Sequence, residues 1–70
     1  MAKYNVGDKF ISKSCGSNVK VTILFVAPID GEGKQYYLEE VYSVFANGGN
    51  KMFLSLNEED NISKYLIKVN

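Results

Sequence analysis

The sequence predicts one all-β domain, spanning residues 1–70, in which five short strands form a small barrel. Short runs of apolar, β-branched and aromatic residues recur along the chain, and glycine-rich turns separate them. No segment keeps the periodicity of a long helix. A barrel suits so short a chain because two-stranded ribbons are marginal alone, whereas a closed sheet buries one face of every strand.

The first two strands are predicted at residues 9–13 and 19–29, with a loop at residues 14–18 between them. The second run is the strongest strand signal in the chain because β-branched and aromatic residues fill it. Pro28 ends that strand, or places its end at a sheet edge, because proline cannot donate a hydrogen bond to a neighbouring strand.

Two glycine-rich turns predict the hairpins that follow. Residues 30–34 begin with Asp-Gly, which favours a tight turn, and they return the chain into a third strand at residues 35–44. Residues 47–50, Asn-Gly-Gly-Asn, repeat the signal before a fourth strand at residues 51–56. We therefore expect the second, third and fourth strands to form an antiparallel meander.

An acidic segment near the C-terminus predicts a single helical turn. Ser55 and Glu58 have the Ser-x-x-Glu spacing of a capping box, and Asn57 is an alternative cap. The acidic residues 58–60 favour the positive end of a helix dipole. The pattern then alternates over residues 65–69, which predicts the fifth strand.

Alternation along the strands predicts which side chains face the core. In the second strand the inward set is Val19, Val21, Ile23 and Phe25, and the outward set is Lys20, Thr22, Leu24 and Val26. The third strand departs from alternation, and a bulge at Glu39 and Glu40 would restore it. With that bulge, the inward set is Tyr36, Leu38, Val41 and Phe45, and the outward set is Tyr37, Glu39 and Tyr42.

Segments along most of the chain carry a resemblance to a known class of protein. They are Val6-Gly7-Asp8-Lys9-Phe10, Val21-Thr22-Ile23-Leu24, Tyr36-Tyr37-Leu38-Glu39-Glu40 and residues 56–69. The layout resembles the small SH3-like barrel proteins of bacteria and their phages, which implies an SH3-like barrel. The resemblance also implies a phage protein that inhibits a host enzyme or defence protein. Tryptophan and the acidic-aromatic signature of signalling SH3 domains are missing, so no proline-rich peptide site is implied.

Charge and cysteine content exclude several classes of function. Eight lysines balance eight carboxylates and no arginine is present, which disfavours nucleic-acid binding. Cys15 is single, so the chain has neither an internal disulfide nor a zinc site of cysteine and histidine ligands. We expect a cytoplasmic protein, in the bacterial host if phage-encoded. No apolar run approaches the roughly 18 residues that cross a membrane, and residues 1–4 do not lead into a signal-peptide core.

The carboxylates and glycines do not form a catalytic, metal or phosphate pattern. Glu39 and Glu40 are adjacent in a strand, so they point to opposite faces and cannot flank one bond. The acidic residues 58–60 lack the oxygen spacing of an EF-hand, and helix capping explains them. The Gly31-x-Gly33 and Gly48-Gly49 patterns fit hairpin turns better than phosphate loops. We therefore expect no enzyme, no cofactor and no metal.

The tyrosines are the best indication of a binding site, because all five cannot be buried in so small a core. Together with the apolar outer side of the second strand, they predict a partner-binding set of Leu24, Val26, Tyr37, Tyr42 and Phe53. The alternatives are that the N-terminal segment with Tyr4 and Val6 covers Leu24 and Val26, and that the other aromatic residues only stabilise the sheet by cross-strand pairing. This set favours a small non-enzymatic module that binds another protein.

Two alternatives stay open. The first is an oligomer that sequesters a small ligand or nucleotide, with tyrosine stacking on a base and lysines meeting phosphates; its expected site residues are Lys20, Lys51 and Tyr37. The weaker alternative is binding of single-stranded nucleic acid on the barrel face. Apolar residues on both faces of the second strand also favour a homodimer or higher oligomer.

Overall fold

Five strands form one antiparallel sheet in the computed structural model, which describes residues 2–46 and 48–70. The elements are β1 (Lys9–Ser12), β2 (Gly16–Val26), β3 (Tyr36–Ser43), β4 (Lys51–Glu58), α1 (Glu59–Tyr65) and β5 (Leu66–Lys68). Hydrogen-bonded neighbours follow the order β4-β3-β2-β1-β5, so β4 and β5 are the two edges. The predicted all-β class, the meander of β2, β3 and β4, and the short helix before the last strand are confirmed.

The turn between β2 and β3 forms where Asp-Gly predicted it. The Asp30 carboxylate accepts hydrogen bonds from the backbone N–H groups of Glu32 and Lys34, each at 2.9 Å. Gly33 has a φ of +81°, a conformation that glycine adopts without strain. The predicted turn between β3 and β4 includes Asn47, which lies outside the described residues.

The bounds of β2 and β4 differ from the prediction. β2 begins at Gly16, inside the predicted loop, and ends at Val26, before Pro28. β4 continues to Glu58, because Glu58 pairs with Tyr36 at the end of the β3–β4 ladder.

The predicted capping box is therefore wrong. Ser55 and Asn57 lie in β4, and α1 begins after Glu58, whose side chain makes no capping hydrogen bond within the described residues. The Asn57 side chain instead donates to Glu39 at 3.3 Å and accepts from the Glu58 N–H at 3.0 Å. The helix also extends to Tyr65, so that β5 begins one residue later than predicted.

The predicted bulge in β3 is wrong as well, because its ladder with β4 runs without a shift from Tyr36 to Ser43. The register shift lies in β2, where Ile23 pairs with Glu39 but Phe25 pairs with Leu38. Leu24 is the extra residue at this shift. As a result, the inward side chains of β3 are Tyr37, Glu39, Val41 and Ser43, whereas Tyr36 and Leu38 face outward.

The core lies on the inner face of the sheet, where α1 and the N-terminal segment cover it. Its buried apolar side chains are Phe10, Val21, Ile23, Tyr37, Val41 and Ile62. Val19 and Val26 pack against this cluster and are half-buried, so Val26 faces inward against the prediction. Phe25 and Phe45, both predicted to point inward, are exposed because the shift turns Phe25 outward and Phe45 lies beyond the end of β3.

Candidate interaction surface

Tyr37, predicted as an exposed binding residue, is fully buried and holds the N-terminal segment in place. Its hydroxyl donates a hydrogen bond to the Glu59 carboxylate and accepts from the backbone N–H groups of Lys3 at 3.0 Å and Tyr4 at 3.1 Å. Burial, followed by the hydrogen bond to Glu59, raises the pKa of Tyr37. Tyr37 is therefore unavailable to a partner or a ligand on the surface.

The N-terminal segment also covers part of the core. The Tyr4 ring contacts the edge of Phe10, with ring centroids 5.0 Å apart, and its hydroxyl lies 2.7 Å from the Ser63 hydroxyl in α1. The Gly7 N–H donates to the Ile23 carbonyl at 2.8 Å, which fixes the segment to β2. The inner face of β1, β2 and the first half of β3 is thus covered by the chain itself.

Glu39, next to Tyr37 on the inner face, is a buried carboxylate that the sequence prediction placed outside. Asn57 donates to one of its oxygens, and the other oxygen has no hydrogen-bond partner among the described residues. Burial raises the pKa of Glu39, and the Asn57 hydrogen bond opposes that shift. Burying this carboxylate with one oxygen unpaired costs free energy of folding.

The outer face, by contrast, carries a continuous row of apolar side chains. Phe25 pairs with Leu38, and Leu38 pairs with Leu56 in β4. Leu24 joins this row because the register shift places it between buried Ile23 and outward Phe25. We call Leu24, Phe25, Leu38 and Leu56 the outer apolar cluster. Leu24, Phe25 and Leu56 are exposed, and Leu38 is half-buried.

A shallow depression of about 430 Å³ lies at the other end of the outer face. Lys20 pairs with Tyr42, and Tyr42 pairs with Met52, so these three side chains cross the floor of the depression in one row. Thr22 and Glu40 form the adjacent row. The Tyr42 hydroxyl donates to the Asn50 side chain at 3.0 Å, which restrains the position of the ring.

The β4 edge is exposed on both of its faces. Met52, Leu54 and Leu56 point outward and are 63%, 62% and 62% exposed, while Phe53 lies on the inner face and is also exposed. Phe53 and Lys51 border a second depression, of about 470 Å³, together with Phe45. α1 contacts only a small part of β4, so the inner side of this strand lacks the cover that Tyr4 and Ile62 give to the rest of the sheet.

Searches of protein-family models, curated proteins and solved structures find no match to this chain. Within residues 2–46 and 48–70, no group of three or more histidine, cysteine or acidic side chains could hold a metal ion. Over the same residues, α1 is too short to cross a bilayer, and no other helix is long and apolar enough.

The predicted site residues divide between four places. Leu24 belongs to the outer apolar cluster, and Tyr42 and Lys20 meet at the 430 Å³ depression. Phe53 and Lys51 lie on the opposite face, at the 470 Å³ depression. Val26 and Tyr37 pack into or against the core.

Four exposed side chains on the outer face of β2 and β4 were not predicted as binding residues from the sequence, namely Phe25, Met52, Leu54 and Leu56. A signal was present in residues 52–54, where three consecutive apolar residues cannot all face one side of a strand. At least one face of β4 therefore had to carry apolar side chains away from the core.

Proposed function

We propose that this protein is a small non-enzymatic module that binds another protein through the outer face of its sheet. The observation that carries the proposal is the outer apolar cluster, in which Phe25, Leu38 and Leu56 lie in one row across three strands and Leu24 extends it. A surface of large side chains in direct register offers a partner a flat apolar contact area.

The contrast between the two sheet faces supports this proposal. On the inner face, the N-terminal segment and Ile62 of α1 cover Phe10 and Tyr37. On the outer face, Phe25 and Leu56 remain exposed although no packing of the core requires them there. Exposing such side chains adds no stability to the monomer, so a binding role explains them better than folding does.

The strand order and the short helix before β5 support a finer proposal, that the sheet belongs to the small SH3-like barrel class. That the protein comes from a phage rests on the resemblance alone. On that basis, the proposed partner is a bacterial enzyme or defence protein that presents an apolar, solvent-exposed surface. A protein partner fits the near-neutral charge of the chain, because an apolar contact needs no excess of either sign.

The test is affinity capture from bacterial lysate with three forms of the full chain. The wild type and the Ile67→Glu control should retain the same protein, whereas the Leu24→Glu, Phe25→Glu double variant should lose at least about 10-fold in affinity. Ile67 is a suitable control because it is also exposed on the outer side of the sheet but lies on β5. Equal retention by the double variant, or no reproducible partner at all, would contradict the proposal.

A second candidate function has one observation in its favour, the meeting of Lys20 and Tyr42 at the 430 Å³ depression. A tyrosine ring beside an ammonium group could stack on a base while the lysine contacts a phosphate. Thermal-shift measurements with nucleoside mono-, di- and triphosphates test this function. A ligand at a hundred times its dissociation constant stabilises the native state by about 2.7 kcal/mol, and Lys20→Ala should remove that effect.

A further inference from the structure

β4 is a long and regular sheet edge. Its residues pair with β3 at eight successive positions from Lys51 to Glu58 without a bulge, and within the described residues it has no strand on its other side. An edge strand directs alternate backbone N–H and C=O groups away from its neighbour, where a further strand can pair with them. The regular ladder therefore leaves a straight row of backbone groups along this side of the protein.

The sequence of β4 does not protect this edge. Between Lys51 and Glu58, residues 52–57 contain no charged residue, no proline and no glycine. Natural edge strands usually avoid pairing through a central lysine, a proline, a bulge or very short length. β4 has none of these features over its eight residues, so its exposed edge and apolar side chains favour addition of another strand.

We infer that a second copy of this chain pairs with β4 in antiparallel orientation, with the two-fold axis beside Leu54. A two-fold axis perpendicular to the sheet keeps the outer face of both copies on one side. Opposite residues then differ by an even number, which leaves only registers centred on a residue. Centring on Leu54 places Met52 opposite the partner's Leu56, and Leu54 opposite the partner's Leu54.

Cross-strand pairing selects this register over the two neighbouring ones. If the axis lay beside Phe53, Leu56 would face the partner's Asn50. If the axis lay beside Ser55, Met52 would face the partner's Glu58, and Phe53 would face the partner's Asn57. The register centred on Leu54 instead pairs all three outward apolar side chains of β4 with apolar partners. Direct apolar pairs across strands stabilise a sheet, whereas an apolar side chain opposite a carboxylate gains little.

The charges of β4 select the antiparallel orientation. The strand begins with Lys51 and ends at the acidic residues 58–60. Antiparallel pairing brings Lys51 of each copy next to the acidic end of the other, whereas parallel pairing aligns Lys51 with Lys51 and acid with acid. Since Glu58 is already paired with Lys34 at 3.4 Å, the charges set orientation more than affinity.

This dimer extends beyond the proposed function and does not depend on it. The two sheets join into one, and the outer apolar clusters of both copies come onto a single continuous face across the β4 pair. Leu56 of each cluster then lies opposite the partner's Met52, so the joint surface is larger than either cluster alone. A partner protein that binds this face would meet two equivalent sites related by the two-fold axis.

Sedimentation velocity of the full chain without any partner tests the inference. The wild type should be dimeric at micromolar concentrations, and Leu54→Lys should weaken self-association about 100-fold, because it places two ammonium groups opposite each other at the axis. The matched control is Ile67→Lys on the β5 edge, which should remain dimeric. Circular dichroism of each variant shows whether the monomer is folded. A monomeric wild type, a dimeric Leu54→Lys variant or a monomeric Ile67→Lys variant would overturn the inference.

Disulfide cross-linking tests the register itself, in a Cys15→Ser background that removes the native thiol. Leu54→Cys should form an intermolecular disulfide rapidly, because directly opposite residues have Cα atoms about 4.5–5.5 Å apart, within disulfide range. Ser55→Cys should form one slowly, since the two Ser55 residues are diagonal neighbours about 7–8 Å apart, beyond the usual disulfide range. The reverse order would exclude the register centred on Leu54. Because neither experiment includes a binding partner, failure of the dimer leaves the test of the proposed function intact.

Discussion

The two edges of the sheet differ in length, charge and surroundings. β5 has three residues, and Lys68 at its end forms an ion pair with Asp8 at 3.8 Å. α1 precedes it directly, and the Val69 N–H that follows it donates to the Lys9 carbonyl. β4 has eight residues, and the apolar ones on both of its faces are exposed. β5 is therefore a short edge that carries a charged residue, whereas β4 is a long, apolar edge that is available for contact.

The packing of the core also differs between the β5 side and the β4 side of the sheet. Near β5, residues from α1, the N-terminal segment and β3 form the closed side, where Tyr4, Phe10, Tyr37 and Ile62 pack together. Near β4, Phe53 lies opposite Val41 on the inner face and remains exposed. The stability of the monomer should therefore depend on the closed side and only weakly on β4.

The largest expected effect comes from truncating the centre of the closed side. Ile62→Ala should destabilise the fold by about 2–5 kcal/mol, because Ile62 is fully buried and its removal leaves a cavity. Leu56→Ala, its exposed counterpart on β4, should change the free energy of unfolding by less than about 0.5 kcal/mol.

Urea unfolding followed by circular dichroism measures both values. The comparison belongs in the monomeric Leu54→Lys background, because self-association would add a concentration-dependent term. If Leu56→Ala cost as much as Ile62→Ala in that background, β4 would be part of the stabilising core, and the contrast between the two edges would fail.

A smaller effect is expected from the hydroxyl that holds the N-terminal segment. Tyr37→Phe should cost about 1–3 kcal/mol, because the N–H groups of Lys3 and Tyr4 and the Glu59 carboxylate all lose a hydrogen-bond partner. Tyr42→Phe is the matched control, since among residues 2–46 and 48–70 its hydroxyl bonds to Asn50 alone, at an exposed site on the β4 side. Thermal unfolding at neutral pH distinguishes them, and equal losses would contradict the role assigned to Tyr37.

The position of Tyr37 also shows which features of the fold could be predicted from the sequence and which could not. The strands, the Asp-Gly turn and the meander were predictable because each depends on local patterns of apolar and turn residues. The inward side of β3 was not, because alternation cannot distinguish the two faces when Tyr37, Glu39 and Val41 compete with Tyr36 and Leu38. The register shift at Leu24 and the long-range partners of the Tyr37 hydroxyl determine which face of β3 points inward.

The candidate surface was predictable only in part, for a related physical reason. Leu24 and Tyr42 were correctly expected to face outward, because they share the outer side of the sheet. The exposure of β4 depends on its being an edge that α1 barely contacts, and strand order is a tertiary property. The capping pattern of Ser55 and Glu58 was misleading because pairing with β3 keeps this segment extended.

A pH-dependent change in stability, of intermediate size, is expected at Glu39, where the closed side meets β4. Burial raises the pKa of Glu39 above its ordinary value of 4.5, although Asn57 opposes the shift. The stability that Glu39 contributes is therefore full below about pH 4.5 and is lost as the pH rises through the raised pKa. At pH 7, Glu39→Met should stabilise the protein by about 1 kcal/mol, because it removes a buried carboxyl group that has one unpaired oxygen.

Glu59 provides the comparison of opposite sign. Burial alone would raise its pKa, but the hydrogen bonds from Tyr37 and the Lys3 N–H, together with the Lys3 charge, lower it below 4.5. Its stabilising contribution is present above that pH and is lost as the pH falls through the lowered pKa.

Urea titrations from pH 7 to about pH 4 test the assignment at Glu39. They should show that the stability gained by Glu39→Met shrinks as the pH falls. A gain that grew with acid would contradict the assignment.

The smallest effect is expected at the junction of β4 and α1. Glu58→Ala should cost no more than about 0.5 kcal/mol, because the side chain makes no capping hydrogen bond within the described residues, and its ion pair with Lys34 is partly solvent-exposed. A true N-cap would cost about 1 kcal/mol or more when removed. Chemical unfolding in the monomeric background distinguishes these values, with Lys34→Ala as the matched control.

The two single changes and their combination also isolate the ion pair. If Glu58 acts only through Lys34, the double variant should be no less stable than either single variant, because the second change then removes nothing further. An additional loss specific to Glu58→Ala would mean that this carboxylate stabilises the start of α1 through the helix dipole. In that case the end of β4 would contribute to the stability of the closed side, and the part of the β4 edge that is available for contact would end before Glu58.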